Sequence, residues 1–188
     1  MGSIQSISLP SGTTCRPCEC QKKCYARKIE RLRPSVARSY KKNLDVLNSD
    51  PDTYWREVEG TIMMSRYFRF HVSGDIPDAA YFNKMVEISE RNTHCQILCF
   101  TKKYDIVNAF IKGGGRIPNN LHMIFSAWVN LEMVNPFSLP TAHVRYRDGS
   151  TTAKIGAKDC GGNCTECAVV SDGCWTLRGG EEIVFDEH

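Results

Sequence analysis

The chain of 188 residues holds ten cysteines, and eight of them fall in two short runs. Cys15, Cys18, Cys20 and Cys24 lie in 15-CRPCECQKKC-24, and Cys160, Cys164, Cys167 and Cys174 in 159-DCGGNCTECAVVSDGCW-175. Thiolates bind soft and borderline metals, and close spacing lets one loop supply several ligands at small entropic cost. Three chemistries fit the pattern: an iron–sulfur cluster, zinc, or disulfides. Cys15-x2-Cys18 with Cys164-x2-Cys167 is arithmetically a four-cysteine zinc site, but it leaves Cys20, Cys24, Cys160 and Cys174 unused. An iron–sulfur assignment uses more of them, since clusters commonly take three ligands from one loop and a fourth from afar. All eight would serve two four-iron clusters. Gly161, Gly162 and Gly173 allow the backbone to wrap a bulky centre and to donate amides to its sulfurs. The expectation is a cysteine-bound centre joining the N- and C-terminal segments, [4Fe-4S] first and zinc as the alternative. Cys20, Cys24, Cys164 and Cys167 are the leading ligands, and loss of the metal should unfold much of the chain.

These residues must be positioned by a scaffold, and its elements are legible. A short strand over 4–8 precedes a helical pattern over 21–33. Pro34 opens a helix with Val36, Tyr40, Leu44 and Leu47 on one face, and Asp50-Pro51 breaks and restarts it as a helix over 52–65. Then strand, helix, strand, helix, strand follow in 67–127, with strands at 67–72, 94–100 and 121–127 and a helix at 104–112 stopped by Gly113-Gly114-Gly115. This alternation predicts a single α/β domain over 1–188 with a parallel, partial-barrel-like sheet. Weaker strand signals lie at 142–146 and 181–185. The first cysteine cluster occupies 15–28 and the second 159–175.

In such a sheet, ligands gather at the carboxyl ends of the strands. Ser73, Gly74 and Asp75 follow one strand, Lys102 another, and Ser126 ends a third, so they should line one rim. Asp75 and His71 could act as acid and base or hold a substrate amine, with Lys102 facing an anion. The bland alternatives are a helix or turn cap for Asp75, a core histidine for His71 and a solvated loop for Lys102. Cys95 and Cys99 share a strand face with Ile97 and are expected in the core.

The composition, 41% hydrophobic and 24% charged, is that of an ordinary globular protein, and a net charge of +3 does not by itself imply nucleic acid. Its distribution says more: ten Lys or Arg stand between Arg16 and Lys42 against Glu19 and Glu30. That basic 16–42 segment could neutralise a thiolate cluster or bind the phosphates of a nucleic acid. No apolar run is long enough to span a bilayer and no signal-peptide core is visible, so a cytoplasmic protein with reduced thiols and no membrane partner is expected. No P-loop, dinucleotide glycine fingerprint or Ser–His–Asp order stands out. A small-molecule substrate or redox partner at the rim is the expected alternative to a binding module without catalysis.

The segments 20-CQKKCYARK-28, 69-RFHVSGD-75 with Tyr81, 99-CFTKK-103, 118-PNNLHMIFS-126 and the cysteine-rich tail ending in Cys174-Trp175 together resemble the phage "gene product 88"-like family, over residues 15–176. The resemblance implies a cysteine-ligated, iron–sulfur protein whose reaction is unassigned. A more distant similarity is to radical S-adenosylmethionine enzymes, which join a three-cysteine loop to a partial parallel barrel. It implies that Ser73, Gly74 and Asp75 would hold the amino group of S-adenosylmethionine. The order differs, because the intact C-x3-C-x2-C is Cys160, Cys164 and Cys167 at the carboxyl end, and Cys20-x3-Cys24 is followed by Arg27.

Overall fold

A computed structural model describes residues 4–170 and 172–187. The helices begin where proline and aspartate dictate. Pro34 and Pro51 each stand in the first turn, where no amide is needed, of α2 (Pro34–Ser49) and α3 (Pro51–Met63). Asp50 and Asp78 cap α3 and α4 (Ala79–Arg91) by accepting the amides of Thr53 at 3.1 Å and Tyr81 at 2.8 Å. The helix α5 (Tyr104–Lys112) ends at the three glycines as expected, with Gly114 at a φ of +89°.

The first cysteine cluster does not run straight into a helix. A 3-10 turn (Glu19–Lys23) comes first, and α1 (Tyr25–Leu32) starts only after Cys24. A disulfide joins Cys18 to Cys20 within this turn, so the 21–33 helix expected from the pattern is shortened at its start.

Seven parallel strands form one sheet in the order β1-β2-β3-β4-β5-β7-β6. They are β1 (Gln5–Ile7), β2 (Tyr67–Phe70), β3 (Gln96–Thr101), β4 (Leu121–Ser126), β5 (Thr141–Arg145), β6 (Lys158–Asp159) and β7 (Glu182–Asp186). The 67–127 unit is thus the centre of a wider sheet, extended by β1 on one side and by three strands on the other. From β1 to β5 each strand is laid beside the one before it, so the sheet is singly wound there and does not reverse direction as a dinucleotide fold does.

Single winding leaves the two faces with different covers. One face presents Phe68, Phe70, Ile97, Cys99, Leu121, Met123 and Phe125 to Tyr54, Trp55, Val58 and Ile62 of α3 and to Phe82 and Met85 of α4. The residues between them point the other way. Leu98, Ile124, Ala142 and Ile183, with Tyr67 and Phe100 alongside, pack under Ala168, Trp175 and Leu177 of the C-terminal segment. That segment holds α6 (Cys164–Val170) and a 3-10 turn at Gly173–Trp175. The cover is pinned where Tyr67 donates its hydroxyl to Ala168 O at 2.8 Å and lays its ring against Trp175 at 5.0 Å. The cysteine-rich tail is therefore the second layer of the molecule. Burial of its apolar side chains holds it there.

At the amino ends of the strands, the Asn120 side chain donates to the carbonyls of Ser89, Asn92 and Cys95 at 3.0, 3.1 and 3.0 Å. It ties the end of α4 to the starts of β3 and β4. Cys95 and Cys99 are fully buried on the helix side, as core residues.

Candidate metal centre and the adjoining rim

The four thiols of the second cluster sit together beneath the sheet's second face. Cys160 follows β6, Cys164 and Cys167 stand one turn apart on α6, and Cys174 lies in the 3-10 turn. Burial pushes the Cys174 thiol up to about 12, and Cys160, Cys164 and Cys167 push it in the same direction because their charges would repel its own. Cys160 and Cys167 are raised for the same reasons, burial first.

Two features of the site favour charge on sulfur, and a third brings backbone close to it. The Gly162 amide donates to Cys160 Sγ at 3.4 Å, and Arg69 Nη1 lies 3.9 Å from Cys164 Sγ. Gly173 has a φ of +61°, and a Cβ placed there would stand 3.2 Å from Cys167 Sγ, so the backbone passes close to that sulfur. Arg69 comes from β2, on the face that the tail covers, and its guanidinium lies 5.0 Å from the Phe100 ring centre. Among the described residues, however, no three His, Cys, Asp or Glu side chains converge on one point as a preformed ion site.

The first cluster is arranged differently. With Cys18 and Cys20 joined, Cys15 and Cys24 remain as thiols. Burial raises the Cys15 thiol, the Gly12 amide at 3.4 Å opposes this, Asp75 and Cys24 raise it further and Lys102 lowers it. Cys15 therefore belongs to the rim at the carboxyl ends of the strands, and Tyr25, next to Cys24, feels the charges of Arg69, Cys24 and Cys164 together. A centre that joins the two segments, expected with Cys20 and Cys24 beside Cys164 and Cys167, is not shown. The chain's two ends are linked by an ion pair, Lys23 Nζ to Glu187 Oε1 at 2.5 Å, and by Ile4, which packs against the cluster of Ala168, Trp175 and Leu177.

At the rim, Asp75 is buried and both its carboxylate oxygens are occupied. Oδ1 accepts from the Ile76 amide at 2.8 Å and the Thr101 hydroxyl at 2.6 Å, and Oδ2 accepts from the Lys102 amide at 2.9 Å. Burial raises its pKa, against the pull of these hydrogen bonds. Its own amide donates to Thr14 Oγ1 at 2.9 Å. Gly74 has a φ of +81°, and a Cβ would come within 2.9 Å of Leu9 and Thr14. The Ser73 hydroxyl donates to Glu30 Oε1 at 2.8 Å, which also accepts the Ser11 amide at 3.0 Å. Ser73, Gly74 and Asp75 thus knit the N-terminal loop, α1 and the end of β3 to the end of β2.

Lys102 extends its amine to Ser126 Oγ at 3.2 Å and lies 6.0 Å from the Trp128 ring centre. Tyr104 donates its hydroxyl to Ser126 O at 2.5 Å. The structure thus brings Lys102, Ser126, Asp75 and Cys15 to one rim, as the strand ends imply. His71 does not join them. It is buried, has a φ of +59°, and rests against Tyr81 with ring centres 5.4 Å apart. Neither ring nitrogen has a hydrogen-bond partner among the described residues, and burial drives its pKa down to about 3.

Sequence reasoning missed a second histidine. His143 of β5 has Nδ1 2.9 Å from Thr152 Oγ1 and Nε2 3.3 Å from Glu182 Oε2, the latter within ion-pair distance but not aligned as a hydrogen bond. Lys154 reaches the same carboxylate at 3.0 Å. The group fastens the loop after β5 to the sheet. Two shallow surface grooves, one between α3 and α4 and one at the amino ends of β3 and β4, have no cysteine in their walls. No helix among the described residues is long and apolar enough to cross a membrane.

No curated protein and no solved structure matches this chain. A protein family described as Gene product 88 matches residues 2–135. The match takes in the first cysteine cluster, the 69–75 and 99–103 segments and 118–126, and it stops before the cysteine-rich tail that the resemblance had included. With most of its length matched, the chain belongs to the Gene product 88 family.

Proposed function

We propose that this protein binds an iron–sulfur cluster, [4Fe-4S] in type, through Cys160, Cys164, Cys167 and Cys174. The observation that carries the reading is the grouping of four thiols from one short segment beside Arg69 and the Gly162 amide. This donor set suits a thiolate-ligated centre, because cations and amides that point at sulfur offset the charge that four thiolates bring together. Arg69 would orient and neutralise Cys164, the Gly162 amide would do the same for Cys160, and Trp175 and Phe100 would keep water from the inner side. A cluster bound there would supply one-electron redox chemistry. The rim formed by Lys102, Ser126 and Cys15 would meet an anionic small-molecule substrate or redox partner, with Asp75 holding the Lys102 backbone in place. Zinc on the same four thiols is the competing occupant.

The test is purification without oxygen, followed by an absorbance spectrum and assays of iron, acid-labile sulfide and zinc per chain. About four irons with equal sulfide and broad absorbance near ~400 nm support the proposal. Loss of that signal in Cys164→Ser and Cys174→Ser, with retention in Cys15→Ser, places it on the second cluster. Colourless protein with one zinc per chain replaces the redox reading by a structural metal. Absence of both metals sinks it.

A further inference from the structure

The basic segment is sorted by the fold into two sets. Arg16 pairs with Asp105 at 3.3 Å, Lys22 with Glu19 at 2.6 Å, Lys23 with Glu187 at 2.5 Å and Lys41 with Asp45 at 2.7 Å. Arg27 is held by Gln21 at 3.2 Å. The other five, Lys28, Arg31, Arg33, Arg38 and Lys42, are exposed and have no ion pair or side-chain hydrogen bond among the described residues. Glu19 is paired with Lys22 and Asp45 with Lys41, and Glu30 is turned toward the Ser11 amide and the Ser73 hydroxyl and pairs with none of the five.

These five lie along α1, the turn after it and α2. Lys28 and Arg31 are one turn apart on α1, Arg38 and Lys42 one turn apart on α2, and Arg33 stands at the turn between them. Residues so spaced hold their Cβ atoms about 5–6 Å apart, which makes a row of cations. We infer that this α1–α2 corner docks the phosphate backbone of a nucleic acid, without reading its sequence. The surface is a pair of convex helices. Neither of the two grooves described above includes a residue of α1 or α2. Between the cations the outward residues of α2 are Ser35, Ser39 and Lys41, while on α1 Ile29 and Leu32 are exposed beside Lys28 and Arg31, so vesicle binding is measured alongside nucleic acid. Five unpaired cations outnumber the exposed apolar side chains of this corner, and a repeating polyanion matches them.

The proposal stands apart from the metal site and is tested on the full chain as purified. Fluorescence anisotropy with a labelled random-sequence duplex and a labelled single strand, from 50 to 200 mM salt, reads both affinity and its salt dependence. Five phosphate contacts predict a log–log slope of about −4 to −5 on duplex and a several-hundredfold loss over that range. Arg31→Glu with Arg38→Glu should weaken binding at least about tenfold and flatten the slope by about two. The milder pair Lys28→Ala with Lys42→Ala should flatten it equally if the double reversal fails to fold. Lys112→Glu with Arg116→Glu, the same charge change on α5 and the loop after it, should leave binding within about twofold. No binding at 50 mM salt, a flat salt profile, or equal loss in the α5 pair overturns the inference. So does binding to phosphatidylserine vesicles in place of nucleic acid. Metal and sulfide content unchanged in every variant keeps this test independent of the cluster.

Discussion

Asp75 shows how a side chain in a motif that invites a catalytic reading is used by the fold. Its carboxylate accepts three hydrogen bonds from the start of α4's lead-in and the end of β3, all inside the protein. Asp75→Asn would turn an amide N–H₂ toward donors, and leaving such buried groups unpaired costs about 1–3 kcal/mol. Urea unfolding should show that loss with metal content retained, whereas a variant of wild-type stability would mean that the carboxylate serves a ligand. His71 carries a pH dependence. The unfolded chain binds its proton below the ordinary value of 6.5, and the folded chain does not until about 3. Stability should therefore be present above 6.5 and fall as the pH drops through this window, by at most about 1.4 kcal/mol per pH unit from this residue. Half-buried His122 and buried His143, also lowered, act in the same sense. His71→Asn keeps a residue that tolerates positive φ and should flatten the acid limb of a stability–pH profile. An unchanged limb would show that His71 takes up its proton equally in the folded and unfolded chains.

Among the elements, the tail segment with α6 and the 3-10 turn does two jobs. It covers the second face of the sheet through Ala168, Trp175 and Leu177, and it carries the four candidate ligands. Trp175→Ala should cost about 3–5 kcal/mol, the range for removing a large buried aromatic side chain. Because Cys174 is the adjacent residue, the same variant should lose metal affinity as well, measured by chelator competition. Full metal retention with lowered stability would show that the ligands hold their places without the packing. The helix layer on the other face contains no member of either cysteine cluster and should tolerate such losses independently.

For the whole molecule, the prediction concerns metal removal. Structural thiolate sites contribute their binding energy to folding. If the four tail thiols hold a metal, chelation should release the tail first, exposing Tyr67, Phe100 and Ile124, while the helix-covered face persists. Hydrogen exchange should then rise in 158–186 and at one face of β2–β4 before α3 and α4 open. Uniform exchange after chelation would place the metal's stabilising role across both layers. The metal-free thiols should also be largely protonated at neutral pH, with Cys174 pushed up to about 12. Metal affinity should therefore fall as pH falls, since each ligand must give up its proton.

What lay in the chain itself was whatever neighbouring residues decide. Periodicity and breakers placed α2, α3 and α5 and the strands β2, β3 and β4 within a few residues, because Pro34, Asp50-Pro51 and the three glycines act on their own turns. The alternation of strands and helices carried the parallel sheet in the same way. The rim was legible because strand ends come together in any such sheet. Only the tertiary structure decided which partners fill Asp75, because Thr14, Thr101 and Lys102 reach it from distant loops. It also decided that β7 lies between β5 and β6 and that the tail roofs the second face. Spacing along a chain says how closely ligands follow one another. Which thiols meet depends on the sheet face against which the intervening residues bury their apolar surface, and that is a property of the packed molecule.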